Sequence, residues 1–287
     1  MHCHTTSQPA VLDLGKTIAL VGHPNVGKSV LFQRLTGRYV AVSNYPGTTI
    51  EVTRGAAARL ITDMIPDAVI IDTPGVITLP PVTEDEQVTA RVLFREHLRA
   101  IVQVGDAKNL RRTLMLTVQL AEMELPLVLV LNMIDEAEAR GLALNPSLLR
   151  DALGVPAIPT IATRGQGIKE LASALQSAAV PQLHIDYPEA VEAAIEETSP
   201  KMPVAPISGR ALSILWLCND SVAAEWLRDQ LDTAQYQALE ARREQILKTF
   251  SEPVSSIIQQ TRAAFIEQVA EASLTRSGNR WQGVAAT

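Results

Sequence analysis

The sequence predicts an α/β domain with a mostly parallel sheet, followed by a small all-helical domain. Three observations predict it. Over residues 17–179, short β-branched runs alternate with longer amphipathic ones, as strands joined by crossover helices do. Several of the short runs are apolar at nearly every position, which strands covered by helices on both faces require. From 188 to about 273 the strand-like runs vanish, and helical spacing is punctuated by Pro200, Pro203, Pro206 and Pro253. The resulting division is a tail at 1–15, the α/β domain at 16–180, the helical domain at 181–274 and a tail at 275–287.

In chain order, the first strand is TIALV at 17–21, and a helix runs over 28–37. The segment 50–61 alternates less cleanly and is expected at the edge of the sheet. DAVIID (67–72), AIVQVGD (100–106), PLVLVLN (126–132) and PAIPTIA (156–162) supply the other strands. Helices are expected at 109–122, 146–153 and 168–177. After a linker-like stretch at 180–187 come helices in 188–198, 208–217, 221–231, 233–250 and 252–272.

Composition removes several classes of function. Twenty-five basic residues against 31 acidic ones give a net charge of −6, without the basic footprint of a nucleic-acid binder. Cys3 and Cys218 are too few for a disulfide framework. A membrane-spanning helix needs about 20 consecutive apolar residues. The longest clean run, LPLVLVL at 125–131, falls far short and reads as a buried strand. The opening MHCHTTSQPA has neither the basic flank nor the apolar stretch of a signal peptide, so the chain is expected to be soluble and intracellular. His2, Cys3 and His4 are read as part of a terminal tail rather than a metal site, and Cys218 as a small core residue.

The strongest local signal is GHPNVGKS, which follows the first strand and opens a helix. It satisfies G-x-x-x-x-G-K-[ST]. Gly22, His23, Pro24, Asn25, Val26, Gly27, Lys28, Ser29 and the following Val30 are therefore assigned to a nucleotide. Glycines let the loop wrap so that backbone N–H groups face phosphates. Lys28 is expected at the β- and γ-phosphates and the Ser29 hydroxyl on Mg²⁺.

A phosphate loop leaves the base open. NMID, with Asn132, Met133 and Asp135, follows the strand PLVLVL and fits the N/T-K-x-D type of guanine motif. The Asp135 carboxylate matches two donors that guanine has and adenine lacks; its blander reading is a helix N-cap. Met133 replaces the usual lysine, whose stem lies along the base. Ala162, Thr163 and Arg164 begin ATRGQG, where backbone N–H groups can meet the guanine O6.

Two further loops read as sensors of the terminal phosphate. Asp72 of DTPG is expected to hold a water on Mg²⁺, and the Gly75 N–H to bind the γ-phosphate. Thr49 of NYPGTTIE is expected to close over Mg²⁺, with Thr48 as the alternative. Lys28, Asn25, Thr49 and Gly75 are the expected catalytic set. Val76 follows Gly75 where Ras-like enzymes carry a water-orienting glutamine, so slow intrinsic turnover is expected.

GHPNVGKS, VSNYPGTTIE, DTPG, GDAKNLRRTLMLTVQL, NMID and ATRGQGIKEL occur in that order. Over residues 17–175 the chain resembles the cytosolic G domain of the FeoB family, prokaryotic ferrous iron transporters. That resemblance implies a Ras-like P-loop G domain hydrolysing GTP to GDP with Mg²⁺. It also implies activation by K⁺, bound by the Asn25 side chain and by carbonyls of Ser43 and Tyr45. It places a helical, nucleotide-dissociation-regulating domain after the G domain, coupled to a membrane pore on the cytoplasmic side of the inner membrane. Small Feo-type accessory proteins and a homo-oligomer are implied as possible partners. Tyr45 stands where the family often has tryptophan, and DTPG replaces the commoner DLPG. The pore is absent, so the chain is expected to be either an excised cytosolic part or a stand-alone relative whose partner is another polypeptide, and the unpatterned tail favours excision. Two rivals are an Era- or Der-like ribosome-assembly GTPase and a non-catalytic nucleotide-binding module. The acidic charge and the lack of a basic, aromatic-interleaved domain weigh against the first.

Overall fold

The computed structural model describes residues 15–276; the His2, Cys3 and His4 reading and most of both expected tails lie outside them. The first half contains β1 (Thr17–Gly22), α1 (Lys28–Leu35), β2 (Thr36–Asn44), β3 (Glu51–Ala57), α2 (Arg59–Thr62), β4 (Val69–Asp72), α3 (Glu84–Arg95) and β5 (Leu98–Asp106). It continues through α4 (Leu110–Glu122), β6 (Leu127–Asn132), α5 (Ile134–Ala139), β7 (Leu142–Leu144), α6 (Pro146–Leu153), β8 (Ala157–Pro159) and α7 (Ile168–Gln176). The second half is α8 (Glu189–Thr198), α9 (Gly209–Leu217), α10 (Ser221–Gln230), α11 (Thr233–Leu247) and α12 (Val254–Ser273), ending in β9 (Leu274–Arg276).

Seven strands form one sheet in the order β2-β3-β4-β1-β5-β6-β8. β4, β1, β5, β6 and β8 are parallel, and β2 and β3 form an antiparallel ribbon at one edge. Successive strand residues face opposite sides, and β1 shows the consequence. Ile18 and Leu20 join a core with Leu31, Val102, Val130 and Leu171 beneath α1 and α7. Ala19 and Val21 join the opposite core with Leu93, Leu114 and Leu129. The latter continues without a break into the helical half, through Trp216, Trp226 and Ile258.

Several elements differ from the sequence reading. β3 lies inside the sheet rather than at its edge, because β2 pairs outside it. The chain at 59–62 is a helical turn. The sequence of β2, TGRYVAVSN, has no apolar face because it borders solvent, so periodicity misses it. α3 was unforeseen although Thr83 and Glu86 form a capping box at its start. β9 carries ordered structure past the expected boundary at 274 and pairs antiparallel with β7.

Besides the β7–β9 pairing, side-chain charge pairs join the halves at two seams. At one, α10 meets α3 through Arg91–Glu225 at 2.8 Å and Arg95–Asp229 at 2.9 Å, with the Phe94 and Trp226 rings 6.2 Å apart. At the other, α12 meets α4 through a buried polar knot. Arg262 Nε donates to Glu122 Oε2 at 2.8 Å, and the Tyr187 hydroxyl donates to Glu122 Oε1 at 2.6 Å. Arg262, Glu122 and Tyr187 are 4%, 7% and 4% exposed, and burial pushes the Tyr187 pKa up. Removing one partner of such a pair leaves an uncompensated buried charge, costing about 3–5 kcal/mol. Arg262→Met is therefore expected to lower stability by about that amount, whereas Glu122→Leu combined with Arg262→Met recovers most of it. Urea unfolding midpoints of the parent and both variants check this.

Candidate nucleotide-binding site

The phosphate loop begins where β1 ends. A Cβ at Gly22 would collide with the Val104 carbonyl oxygen of β5, so only glycine fits there. Asn25 (φ 63°) and Gly27 (φ 93°) adopt left-handed backbone, which turns the chain back on itself before α1. The N-terminus of α1 has no side-chain cap, leaving first-turn N–H groups open toward an anion. Lys28 is buried and its ammonium spans the loop, donating to the carbonyls of Gly22 (3.0 Å) and His23 (3.1 Å). Burial lowers its pKa, while Asp72 acts in the opposite direction.

Ser29 Oγ donates to Asp72 Oδ2 at 3.1 Å. The other carboxylate oxygen, Asp72 Oδ1, is buried without a hydrogen-bond partner among the described residues. Burial pushes the Asp72 pKa up, and Ser29 and Lys28 pull it down. An unsatisfied buried acceptor beside a hydroxyl suits a hydrated divalent cation. Ser29 would hold Mg²⁺ directly and Asp72 through water, and bound there the ion would neutralise phosphate charge.

The loop after β4 is fastened to the phosphate loop. Thr73 Oγ1 donates to the Leu20 carbonyl at 2.8 Å, and the Val76 N–H to the Gly22 carbonyl at 3.0 Å. A Cβ on Gly75 would lie 2.7 Å from Pro24 Cγ. Val76 is 1% exposed, so its side chain is committed to the core. Glu86 accepts from the N–H groups of Ile77 (2.9 Å), Val82 (2.9 Å) and Thr83 (3.0 Å). Gln119 brackets Leu79, donating to its carbonyl at 2.6 Å and accepting from its N–H at 3.1 Å. His23 faces inward, with Nε2 unpartnered among the described residues.

In the segment before β3, Thr48 donates its hydroxyl to the Tyr45 carbonyl at 3.0 Å and so closes a turn. Thr49 lines a cleft of about 660 Å³ together with Gly47, Thr48, Glu84, Gln87 and Arg91. Ser43 is exposed on β2 opposite Val52, and the Tyr45 side chain is buried. Among the described residues no hydrogen bond joins Thr49 to Ser29 or Asp72, or Ser43 and Tyr45 to Asn25.

On the far side, Asn132 joins three segments. Its Nδ2 donates to the Val26 carbonyl at 2.9 Å, and its Oδ1 accepts from Thr160 Oγ1 (3.1 Å) and the Ala162 N–H (3.0 Å). Met133 is left-handed (φ 61°) and leads into α5, whose first turn carries Asp135. The Asp135 carboxylate accepts from the Glu136 N–H at 3.1 Å and lies 3.5 Å from Arg164. Arg34 of α1 donates to the Ala162 carbonyl at 3.1 Å and also to the Thr163 carbonyl. The Ala162 N–H is used by Asn132 and the Arg164 N–H by the Ile161 carbonyl at 2.9 Å. Sequence reasoning missed Arg34, Glu86 and Gln119, of which only Glu86 carries a readable signal, its capping box.

The phosphate loop, Asp72 and the Asn132–Asp135 segment sit at the carboxyl ends of the parallel strands β1, β4 and β6, where open α/β sheets build their ligand sites. With a helical domain behind it, this is a Ras-like P-loop G domain. The comparisons sharpen that class. The family model for ferrous iron transport protein B matches residues 16–175, and that for the FeoB cytosolic helical domain matches residues 187–275. The Fe(2+) transporter FeoB of Staphylococcus aureus (strain MW2) is 33% identical over 247 residues, covering 78% of this chain and 36% of that one. A Porphyromonas gingivalis Fe(2+) transport protein A/FeoB fusion protein is 36% identical over 192 residues, covering 64% and 22%. Among solved structures, an S. thermophilus NFeoB mutant bound to GDP superposes with TM-score 0.76 at 30% identity, covering 90% of this chain and 99% of that one. The T. maritima FeoB cytosolic domain in GMPPNP form shares the fold, with TM-score 0.73 at 24% identity over 90% and 99% of the chains. The chain belongs to the FeoB family, of which it comprises the G domain and the cytosolic helical domain. It spans 36% and 22% of the two transporters compared, and no helix of the described residues is long and apolar enough to cross a membrane.

His23 gives the site a pH signature in folding. Burial, then the charges of Arg112 and Lys28, push its pKa from 6.5 down to about 4. The unfolded chain then binds a proton that the folded one refuses, so this stability is complete above pH 6.5 and declines as pH falls toward 4. The loss is on the order of 2–3 kcal/mol. His23→Asn is expected to flatten this part of the profile, measured as unfolding free energy against pH for parent and variant.

Proposed function

We propose that this chain binds GTP and hydrolyses it to GDP and phosphate as the cytosolic switch of a ferrous iron transporter. The observation that carries the reading is the Asn132 amide, which ties the segment bearing Asp135 to the phosphate loop at Val26. One ligand can then meet Lys28 at its phosphates and Asp135 at its base. Lys28 and the N–H groups opening α1 stabilise charge on the phosphates, and the Gly75 N–H binds the terminal one. The Asp135 carboxylate accepts from the guanine ring N–H and amino group. Thr49 is the hydroxyl that completes the site in the triphosphate state, since the Thr48 hydroxyl already closes a turn. GDP in the S. thermophilus relatives supports the choice of guanine.

Because Val76 is buried, water must be oriented by backbone groups and charge supplied from elsewhere. Asn25, exposed in the phosphate loop, can offer its carboxamide oxygen to K⁺, with Ser43 and Tyr45 carbonyls brought up on ligand binding. The helical domain then relays the nucleotide state to a membrane pore, from the cytoplasmic side of the inner membrane. The P. gingivalis fusion supports a small Feo-type accessory partner. A ribosome-assembly role has no support from the two matched family models.

The base assignment is tested by Asp135→Asn. GTP affinity is expected to fall by roughly 10- to 150-fold, the loss of a charged hydrogen-bond partner, while xanthosine nucleotides gain. Equal binding of ATP and GTP by the parent would remove the assignment. The cation reading is tested by initial rates of phosphate release in matched K⁺ and Na⁺ buffers. K⁺ is expected to accelerate the parent but not Asn25→Ala, and a parent indifferent to the cation sinks that part.

A further inference from the structure

Met133 puts a thioether where N/T-K-x-D motifs have an ammonium, yet a cation stands at that place from a different loop. Lys108 belongs to the turn Ala107–Asn109 between β5 and α4, and its Nζ lies 3.4 Å from Met133 Sδ. The same ammonium donates to Glu136 Oε2 at 2.5 Å and lies 3.8 Å from Asp106 Oδ1. Lysine heads ordinarily remain in water, but the Lys108 side chain is only 12% exposed, against 53% for Glu136. The turn that delivers it is itself fixed, because the Asp106 carboxylate accepts from the Lys108 N–H (2.9 Å) and from Asn109 Nδ2 (2.7 Å).

What this cation touches explains what it does. Met133 is a non-glycine residue with φ 61°, a conformation that persists only when its surroundings hold it. Asn132 holds it on the chain side, and Lys108 is the neighbour on the side-chain side. Glu136 follows Asp135 directly and donates its N–H to the Asp135 carboxylate at 3.1 Å. Gripping Glu136 therefore also restrains the first turn of α5, where Asp135 sits.

We propose that Lys108 is a positioning residue for guanine nucleotides, supplying across the loops the ammonium that Met133 lacks and holding Met133 and Asp135 in base-binding geometry. This rests on the assignment of Asn132–Asp135 to the guanine base. The opposing view is a surface ion pair with Glu136 that touches stability alone. The two differ in where a variant fails.

The experiment measures release of fluorescently labelled GDP and steady-state GTP hydrolysis in the full chain, for the parent, Lys108→Met, Lys108→Arg and Glu136→Gln. Lys108→Met is expected to speed GDP release by roughly 3- to 10-fold and to raise KM by more than it lowers kcat. Lys108→Arg, keeping the charge, is expected to restore most of the loss, and Glu136→Gln to show a smaller acceleration in the same direction. If Lys108→Met does not fold, the Glu136→Gln and Lys108→Arg pair decides. Unchanged GDP release in Lys108→Met or Glu136→Gln, or a loss that Lys108→Arg fails to restore, overturns the proposal. A parent without preference for GDP over ADP overturns the base assignment as well; a guanine-selective parent with unmoved variants overturns Lys108 alone.

Discussion

The site depends above all on one buried carboxamide. Asn132 is 4% exposed and uses both ends of its amide, giving a hydrogen to Val26 and receiving two from Thr160 and Ala162. The geometry leaves no room for a substitute. A Cβ on Gly27 would collide with Asn132 Nδ2, so the glycine of the phosphate loop and the asparagine of the base segment are matched to each other. An aspartate could not donate to Val26, and an aliphatic residue would strand a buried carbonyl, a hydroxyl and an N–H, each costing about 1–3 kcal/mol. Arg34 works to the same end from α1, gripping the carbonyls whose chain Asn132 holds by its N–H. The loops are thus cross-linked by side chains rather than by sheet hydrogen bonds, which end where the strands do.

Much of this was legible because phosphate and base chemistry demand residue types at fixed spacing. G-x-x-x-x-G-K-S placed its turn correctly: Gly27 is left-handed and Lys28 opens the helix. The parallel strands were legible because burial on both faces makes them continuously apolar. What escaped had no such pressure. β2 borders solvent, and α5 is a six-residue helix too short for a periodic signal. Arg34 and Gln119 act on backbone groups distant in sequence, at |i−j| of 128 and 40, a pairing no local pattern encodes. Asn132 was assigned to the nucleotide, and only the fold reveals that its side chain is a brace.

Lys28 and Asp72 illustrate how burial and charge balance in the phosphate site. Each is pushed toward its neutral form by desolvation, and each pulls the other back toward ionisation. Neither group alone would be stable as an ion so deep in the protein. Ser29 donates to the carboxylate, and one Asp72 oxygen is left as a free acceptor among the described residues.

The two seams between the halves are unequal for the same electrostatic reason. At α4 and α12 the Glu122–Arg262 pair is almost wholly enclosed, so parting it would leave charges without water. At α3 and α10 the paired side chains are 22–54% exposed, and such pairs are each worth about 0–1 kcal/mol. Water can replace them during a small displacement. In the first turn of α3, Glu86 holds the N–H groups of Ile77 and Val82, so the loop after Asp72 is tied to this helix. The Asp72 loop is therefore linked through Glu86 to α3, which faces α10. The other exit from that loop runs through Gln119, which brackets Leu79 from α4 one turn before Glu122, into the seam that does not yield. The helical domain is accordingly held to α4 by a buried charge pair and to α3 by half-exposed ion pairs around the buried Phe94–Trp226 contact.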